Sequence, residues 1–438
     1  MKGYGLVLGG GGAKGSYEIG VWKALRELEI PIIAVAGTSV GALNGALIVQ
    51  DDYDKAFDLW TNISVETVIN MNEKISELDS KGKAEEIAKL IRAAVHSGGL
   101  DITPLKQLLN KTVDEEKIRK SNMEFGFVTF SMTDLRPVSI FKEEVPEGQM
   151  ADYLLASAAF PAFQPFEIDG KKFIDGGVYD NIPISLMLEK DIYDVISVDV
   201  SGMGLVRKVR VKSKDLNLIQ IKNSEPLGPT LGFSIESAKR NIEIGYYDTM
   251  RAFGKYNGKH YYFTDTNNSL DFDGNDIKLV YRYLGIEWDK RFSPQNRFII
   301  YKLIRSLKNY SQDKKFKNTT GIISAAAEIT AEVMKIERIK EYSLQNLIDT
   351  IKEQYSFQKA DISFEDFSKL IKGDNWNADK SSFTEMMKKV IFESKFAALY
   401  SADINDISDR TILYRRLLAL AFPKICIANI FIALIISK

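Results

Sequence analysis

The sequence predicts an α/β fold, with a parallel sheet and crossover helices, followed by an α-helical region. Two observations predict it. Strand, glycine turn and helix follow one another twice within the first 50 residues, an order typical of parallel strands joined by crossover helices. After residue 266 strand patterns fade, and apolar residues recur at helical spacing from 277 to 436. We therefore expect an α/β domain over residues 1–265 and an α-helical accessory region over residues 266–438.

The individual elements follow from the spacing of apolar residues. Residues 4–8 form an apolar strand before a glycine run, and residues 16–28 show helical spacing. A second apolar strand, 31–36, precedes a small-residue helix at 42–49. The remaining predictions are a mostly helical stretch at 54–120, a small-residue helix at 151–159, and strands at 125–132, 138–141, 172–174, 195–200, 218–221 and 260–263.

Composition excludes several classes of function. Hydrophobic residues are 45% of the 438-residue chain, so a real core can form. Lys and Arg number 58 against 59 Asp and Glu, which lacks the positive excess of a nucleic-acid binder. The single cysteine cannot form an intramolecular disulfide or a thiolate zinc site, and it fits a reducing compartment. Only two histidines, His96 and His260, are present, which argues against chemistry that needs a histidine cluster.

The two ends of the sequence bear on location. The first residues have no apolar stretch of signal-peptide length, so we expect a cytoplasmic protein. Residues 417–436 are mostly apolar, but the uninterrupted part, 425–436, is shorter than the roughly 20 residues needed to cross a bilayer. Two interpretations stay open for it: a buried C-terminal helix or strand, and a peripheral membrane anchor.

A glycine run at residues 9–15 (GGGGAKG) separates the first strand from the first helix. Backbone N–H groups and the helix N-terminus make such a turn an anion site, for a phosphate or for a transient oxyanion. Gly10, Gly12 and Gly15 also fit the dinucleotide pattern G-x-G-x-x-G, but the second strand ends without the acidic residue that this pattern expects. A plain structural turn is the remaining interpretation.

Residues 37–41 (GTSVG) form a G-x-S-x-G pattern between a strand and a helix. This is the position at which a nucleophile elbow exposes its serine, here Ser39. The alternative is a glycine-lined turn with a packed serine. A serine nucleophile needs a base, and the setting of neither histidine is distinctive. Asp175, before two glycines at a strand end, is the favoured carboxylate, with Asp134 and Asp199 as rivals.

Residues 156–166 (ASAAFPAFQPF) combine small residues, three phenylalanines and two prolines just before Asp175. The segment suits either an apolar wall for an acyl chain or ordinary core. Composition favours core.

Three ordered blocks now resemble the patatin-like phospholipases, a family of lipid acyl hydrolases with a Ser–Asp dyad. Residues 10–15 (GGGAKG) resemble the family's oxyanion block, residues 37–41 its nucleophile elbow, and residues 175–177 (DGG) its aspartate block. Residues 156–161 and 180–183 are also similar to the sequence around that aspartate. The resemblance covers roughly residues 4–265 and leaves the helical region outside.

The resemblance implies a three-layer α/β/α catalytic domain with a mostly parallel central sheet. It implies Ser39 as nucleophile, Asp175 as its base, and the N–H groups of four residues as the oxyanion hole: Gly10, Gly11, Gly12 and Ala13. The implied enzyme is a serine lipid acyl hydrolase of the phospholipase A or lysophospholipase type, which forms an acyl-enzyme, acts on a lipid ester and requires no metal or other cofactor.

Two other hypotheses stay open. One is a protein that binds a nucleotide or phosphate on its glycine loop. The other is a catalytically silent scaffold or membrane-interaction module that works through residues 266–438.

Overall fold

The computed structural model describes residues 3–70, 89, 99–207, 216–311, 319–359, 407 and 409–437. The chain divides into two compact units, Met1–Gly254 and Lys255–Lys438. The sequence places this boundary after residue 265 instead. The difference arises because Tyr262–Asp265 pairs in parallel with Glu341–Ser343, which belongs to the second unit.

The first unit contains eight strands and a series of helices within its described residues. Its strands are β1 (Tyr4–Leu8), β2 (Ile32–Thr38), β3 (Glu124–Ser131), β4 (Arg136–Phe141), β5 (Phe166–Ile168), β6 (Lys171–Asp175), β7 (Asp194–Asp199) and β8 (Asn217–Lys222). Its helices are α1 (Ser16–Glu27), α2 (Val40–Val49), α3 (Tyr53–Thr61), α4 (Thr103–Thr112), α5 (Glu115–Lys120), α6 (Met150–Ser157), α7 (Ser185–Glu189) and α8 (Ile235–Ala252).

Seven of these strands lie where the sequence predicts strands, and none of their ends differs from the prediction by more than two residues. Strand β5 was not predicted, because three residues are too few to show an alternating apolar pattern. The predicted helices at 16–28, 42–49 and 151–159 correspond to α1, α2 and α6. Much of the predicted helical stretch at 54–120, including His96, lies outside the described residues.

The sheet has the order β5-β6-β3-β2-β1-β7-β8, with β4 paired to β3. The central pairs β3/β2, β2/β1, β1/β7 and β7/β8 are parallel, whereas β4, β5 and β6 pair antiparallel. Parallel strands need both faces covered. Helix α2 packs on one face, where Gly45 lies against Val35 and Phe125. Residues of α7 pack on the other face with Val7 and Ala36. The predicted three-layer α/β/α architecture is therefore confirmed.

Along one edge, strand β3 pairs first with β2 and then with β6. Its residues Glu124–Val128 pair with β2, whose last residue Thr38 lies opposite Val128. The next residue, Thr129, lies opposite Asp175 at the end of β6. The register therefore brings the ends of β2 and β6 to neighbouring positions of one strand.

The second unit is mainly helical. Its described elements are β9 (Tyr262–Asp265), β10 (Glu341–Ser343) and the helices α9 (Gly274–Tyr283), α10 (Pro294–Tyr310), α11 (Thr319–Val333), α12 (Leu344–Lys359), α13 (Asp409–Ala421) and α14 (Pro423–Ile436). Apolar residues of these helices share one core. The helical region predicted after residue 266 is thus confirmed, with β10 as an added strand.

Helix α14 accounts for most of the apolar C-terminal stretch. Its residues from Cys426 to Ile435 are buried in the core of the second unit. Burial of this helix agrees with the first of the two interpretations of residues 417–436. Among the helices of the described residues, none has both the length and the apolar content that a membrane crossing requires.

Candidate active site

Ser39 occupies a sharp turn between β2 and α2. Its φ of 57° and ψ of −130° lie in a region that residues with a side chain rarely adopt. A strained serine between a strand and a helix is the geometry of a nucleophile elbow. The side chain is nearly buried, with 8% of its surface exposed, and it lines a cavity.

The two flanking glycines are required by close backbone approaches. A Cβ atom on Gly37 would lie 2.3 Å from the carbonyl oxygen of Gly41, and one on Gly41 would lie 2.5 Å from that of Leu8. Any larger residue would push the turn apart. Steric exclusion of a side chain therefore explains why both flanking positions of the G-x-S-x-G pattern are glycine.

Asp175 lies at the end of β6 and faces Ser39. The Ser39 side chain lies within hydrogen-bonding reach of its carboxyl group. Its Oδ1 also accepts the Gly177 N–H at 2.7 Å, which holds the carboxylate at the start of a short 3-10 turn. Burial raises the pKa of Asp175 to about 6, although both hydrogen bonds act in the opposite direction. A carboxylate with this pKa is mostly ionised at neutral pH and can still accept a proton.

The rival bases lie elsewhere. Asp134 is exposed and pairs with Lys171 at 2.9 Å. Asp199 pairs with Lys222 and accepts the Ser201 N–H. Neither lines the cavity that contains Ser39 and Asp175. His260 belongs to the second unit, where its ring stacks on Tyr310. Burial, helped by nearby positive charge, lowers its pKa to about 4.

The glycine loop is held by residues from two other segments. Gly10 donates its N–H to the Asn181 carbonyl at 3.1 Å, and the Asn181 side-chain amide donates to the Gly10 carbonyl at 3.0 Å. Ala13 donates its N–H to the Thr230 carbonyl at 2.7 Å. The N–H groups of Gly10 and Ala13 are thus already used to fasten the loop.

Gly11 and Gly12 differ from their neighbours in this respect. Within the described residues neither donates its N–H to another protein group. Both glycines line the cavity together with Ser39. Of the four oxyanion donors implied by the resemblance, these two are the ones whose hydrogen atoms remain available for a ligand.

The cavity beside Ser39 is strongly apolar away from the reactive end. It is partly open to solvent, and apolar side chains make up most of its lining. The polar end holds the glycine loop, Ser39, Asp175 and Asn181. The apolar walls come mainly from α2, α3, α4 and the segments beside them: Val40, Leu43, Leu47, Leu59, Trp60, Ile63, Val68, Leu105, Leu108, Leu109, Val113, Leu231 and Phe233.

Two of the three phenylalanines singled out in the sequence contribute to this wall. Phe160 and Phe163 line the cavity, with their ring centroids 5.8 Å apart. Phe166 lies in β5 and packs against Ile168 and Phe173 instead. The segment therefore serves as cavity wall and as core, at different residues.

The sequence pattern did not indicate a buried polar cluster around Asn44, a residue that also lines the cavity. The Asn44 side chain donates to the Gly15 carbonyl at 3.0 Å and to the Glu18 carboxyl at 2.7 Å, and it accepts from the Trp60 indole at 2.9 Å. Glu18 is 1% exposed, and burial raises its pKa to about 8. A polar residue at an otherwise apolar helix position was the signal that could have revealed this cluster.

The fold and the elbow define the class: an α/β/α domain with a strained serine at the end of a parallel strand. Comparison with known proteins places the domain within that class. Residues 6–188 match the family model described as patatin-like phospholipase. The part of the chain that carries the Ser39 elbow and Asp175 is thus similar to the patatin-like phospholipases.

Several curated relatives are similar to the same part of the chain. The lysophospholipase nte1 of Aspergillus terreus is 30% identical over 210 residues, covering 45% of this chain and 12% of the relative. The neuropathy target esterase sws of Drosophila melanogaster is 29% identical over 207 residues, covering 45% and 13%. The patatin-like phospholipase domain-containing protein 6 of Homo sapiens is 28% identical over 206 residues, covering 45% and 13%. This chain thus spans only about an eighth of the length of these relatives.

Proposed function

We propose that this protein is a serine lipid acyl hydrolase that cleaves fatty-acyl esters through Ser39 and Asp175. One observation carries the proposal: a strained serine and a buried carboxylate face each other at the polar end of an apolar cavity. The apolar walls suit an acyl chain. The names of the relatives, among them lysophospholipases, support a phospholipid or lysophospholipid as the substrate class.

The first half of the reaction forms an acyl-enzyme. The Asp175 carboxylate accepts the Ser39 proton while the serine oxygen attacks the ester carbonyl carbon. The N–H groups of Gly11 and Gly12 stabilise the negative oxygen of the tetrahedral intermediate. When this intermediate collapses, the bond to the alcohol oxygen breaks. Asp175 returns the proton to the departing alcohol, and the acyl group stays on Ser39.

The second half releases the fatty acid. Asp175 accepts a proton from a water molecule, whose oxygen attacks the acyl-enzyme carbonyl. The second tetrahedral intermediate uses the same two N–H groups. Its collapse breaks the bond to the Ser39 oxygen, and Asp175 returns the proton to the serine.

The test is labelling and hydrolysis by the full chain and its variants. A fluorophosphonate probe should label wild-type protein at Ser39, and hydrolysis of lysophosphatidylcholine and of p-nitrophenyl esters should accompany the labelling. Ser39→Ala should abolish both, and Asp175→Asn should lower the rate by about 10²–10⁴-fold. Matched controls are Ser139→Ala and Asp169→Asn, two exposed residues outside the cavity. Hydrolysis that survives Ser39→Ala unchanged would refute the assignment.

A further inference from the structure

Ser157 lies at the end of α6, in the small-residue segment whose role the sequence leaves open. Its side chain is fully buried. The hydroxyl oxygen accepts the backbone N–H of Ser39 at 3.1 Å and donates its own hydrogen to the Val128 carbonyl at 2.7 Å. Val128 is the β3 residue opposite the end of β2. One hydroxyl therefore ties the elbow to the strand beside it.

The tie matters because the backbone of Ser39 is strained. A non-glycine residue at φ 57° and ψ −130° persists only where its surroundings hold it. Its N–H is buried, so it needs an acceptor, and Ser157 supplies one. Without that acceptor the turn would be free to relax toward a common conformation. The serine oxygen would move with it.

The same segment also holds the carboxylate side of the site. The Asp175 N–H donates to the Ala159 carbonyl at 2.8 Å. The Thr129 hydroxyl contacts the Ala156 and Ile174 carbonyls, each at 3.0 Å. Residues 156–159 thus contact the backbone of Ser39 at one point and the backbone of Asp175 at another.

We propose that Ser157 is a positioning residue that holds the Ser39 oxygen in line with Asp175. This inference rests on the proposed acyl-hydrolase function. Ser157 touches neither the substrate nor the reacting atoms in this scheme. It acts through the Ser39 amide, so its loss should slow the chemical step and leave substrate binding in place.

The experiment compares Ser157→Ala with Ser131→Ala. Ser131 is also fully buried, and its hydroxyl likewise accepts a backbone N–H, but that N–H belongs to Asp134 (3.0 Å) and not to the elbow. The two variants therefore remove the same kind of hydrogen bond at two different places. Measurements on each are kcat and KM for a soluble ester, the rate of fluorophosphonate labelling, and the thermal midpoint.

For Ser157→Ala we expect kcat and the labelling rate to fall about 10–100-fold in folded protein, with KM within about twofold of wild type. Ser131→Ala should keep both rates. Ser157→Cys retains a weak acceptor of similar size and should fall between wild type and Ser157→Ala. If Ser157→Ala does not fold, the comparison of Ser157→Cys with Ser131→Ala decides the question.

Two outcomes would overturn the inference. One is a folded Ser157 variant with wild-type kcat and labelling rate, and the other is an equal loss in Ser131→Ala. Failure of the underlying function looks different. In that case the wild-type chain itself would show no hydrolysis that depends on Ser39.

Discussion

Asn181 and Gly10 are joined by two hydrogen bonds of opposite direction. The Asn181 carbonyl accepts the Gly10 N–H at 3.1 Å, and its side-chain amide donates to the Gly10 carbonyl at 3.0 Å. A single residue 171 positions away therefore provides hydrogen-bond partners for both the N–H and the carbonyl group of Gly10. This pairing keeps the glycine loop in place while the next two N–H groups stay available.

Replacing the side chain should therefore weaken the oxyanion site without removing any of its donors. For Asn181→Ala we expect kcat to fall by about 10-fold or more, because a loop that moves no longer presents a preorganised pair of N–H groups. Steady-state kinetics on a soluble ester measures this. Asn217→Ala, an exposed residue on β8, is the control and should leave kcat unchanged. Equal rates in both variants would contradict the assigned role of Asn181.

The pH dependence of activity should follow Asp175. Only its ionised form can accept the Ser39 proton, and burial raises its pKa to about 6. The value of kcat/KM should thus rise with pH up to about 6 and level off above it. This rise is measured by a pH profile of kcat/KM between 4.5 and 8 on a substrate that does not itself titrate. A rate that stays constant down to pH 4.5 would exclude Asp175 as the base.

Glu18 should make stability depend on pH. Its pKa is raised from 4.5 to about 8 in the folded protein, so between these values the folded state keeps a proton that the unfolded state has lost. Folding stability of the wild type should therefore fall, relative to Glu18→Gln, as the pH rises through this window. The slope approaches about 1.4 kcal/mol per pH unit and vanishes above pH 8.

Urea unfolding at a series of pH values measures that difference. The control is Glu27→Gln, which lies on the same helix but is exposed. Because Glu27→Gln keeps Glu18, its stability should follow that of the wild type across the pH range, with no slope in the difference between the two. Parallel pH dependence of wild type and Glu18→Gln would show that Glu18 is ionised in the folded state.

The apolar cavity should set the preferred acyl length. Leu108 is a half-buried residue of its wall, so a tryptophan there can occupy cavity space without a severe clash in the core. For Leu108→Trp we expect kcat/KM to fall about tenfold for a palmitoyl ester and to change little for a butyryl ester. Leu218→Trp, at an exposed position on β8, should affect neither. An equal loss on both esters would place the acyl chain elsewhere.

The sequence predicted the fold class and the turns of this protein, because residue spacing and glycine positions within short segments indicate helices, strands and tight turns. Strand–turn–helix order and apolar spacing led to the α/β class, and the two glycines around Ser39 indicated a tight turn with a steric reason. The aspartate before Gly176 and Gly177 was also recognisable from its position at a strand end. Each of these patterns is visible within a short segment of the sequence, although the close approach at Gly41 is to Leu8.

Only the tertiary structure decided which of these groups meet. Ser39 and Asp175 come together because β2 and β6 end at adjacent residues of β3, a register that no local pattern encodes. It likewise decided that Gly10 and Ala13 use their N–H groups on Asn181 and Thr230, which leaves Gly11 and Gly12 for a ligand. The sequence by itself indicated Ser39 and Asp175 as candidate residues and the turns that carry them. Their contact, and the choice among neighbouring donors, come from hydrogen bonds between segments that are far apart in the sequence, and these form only when the chain folds.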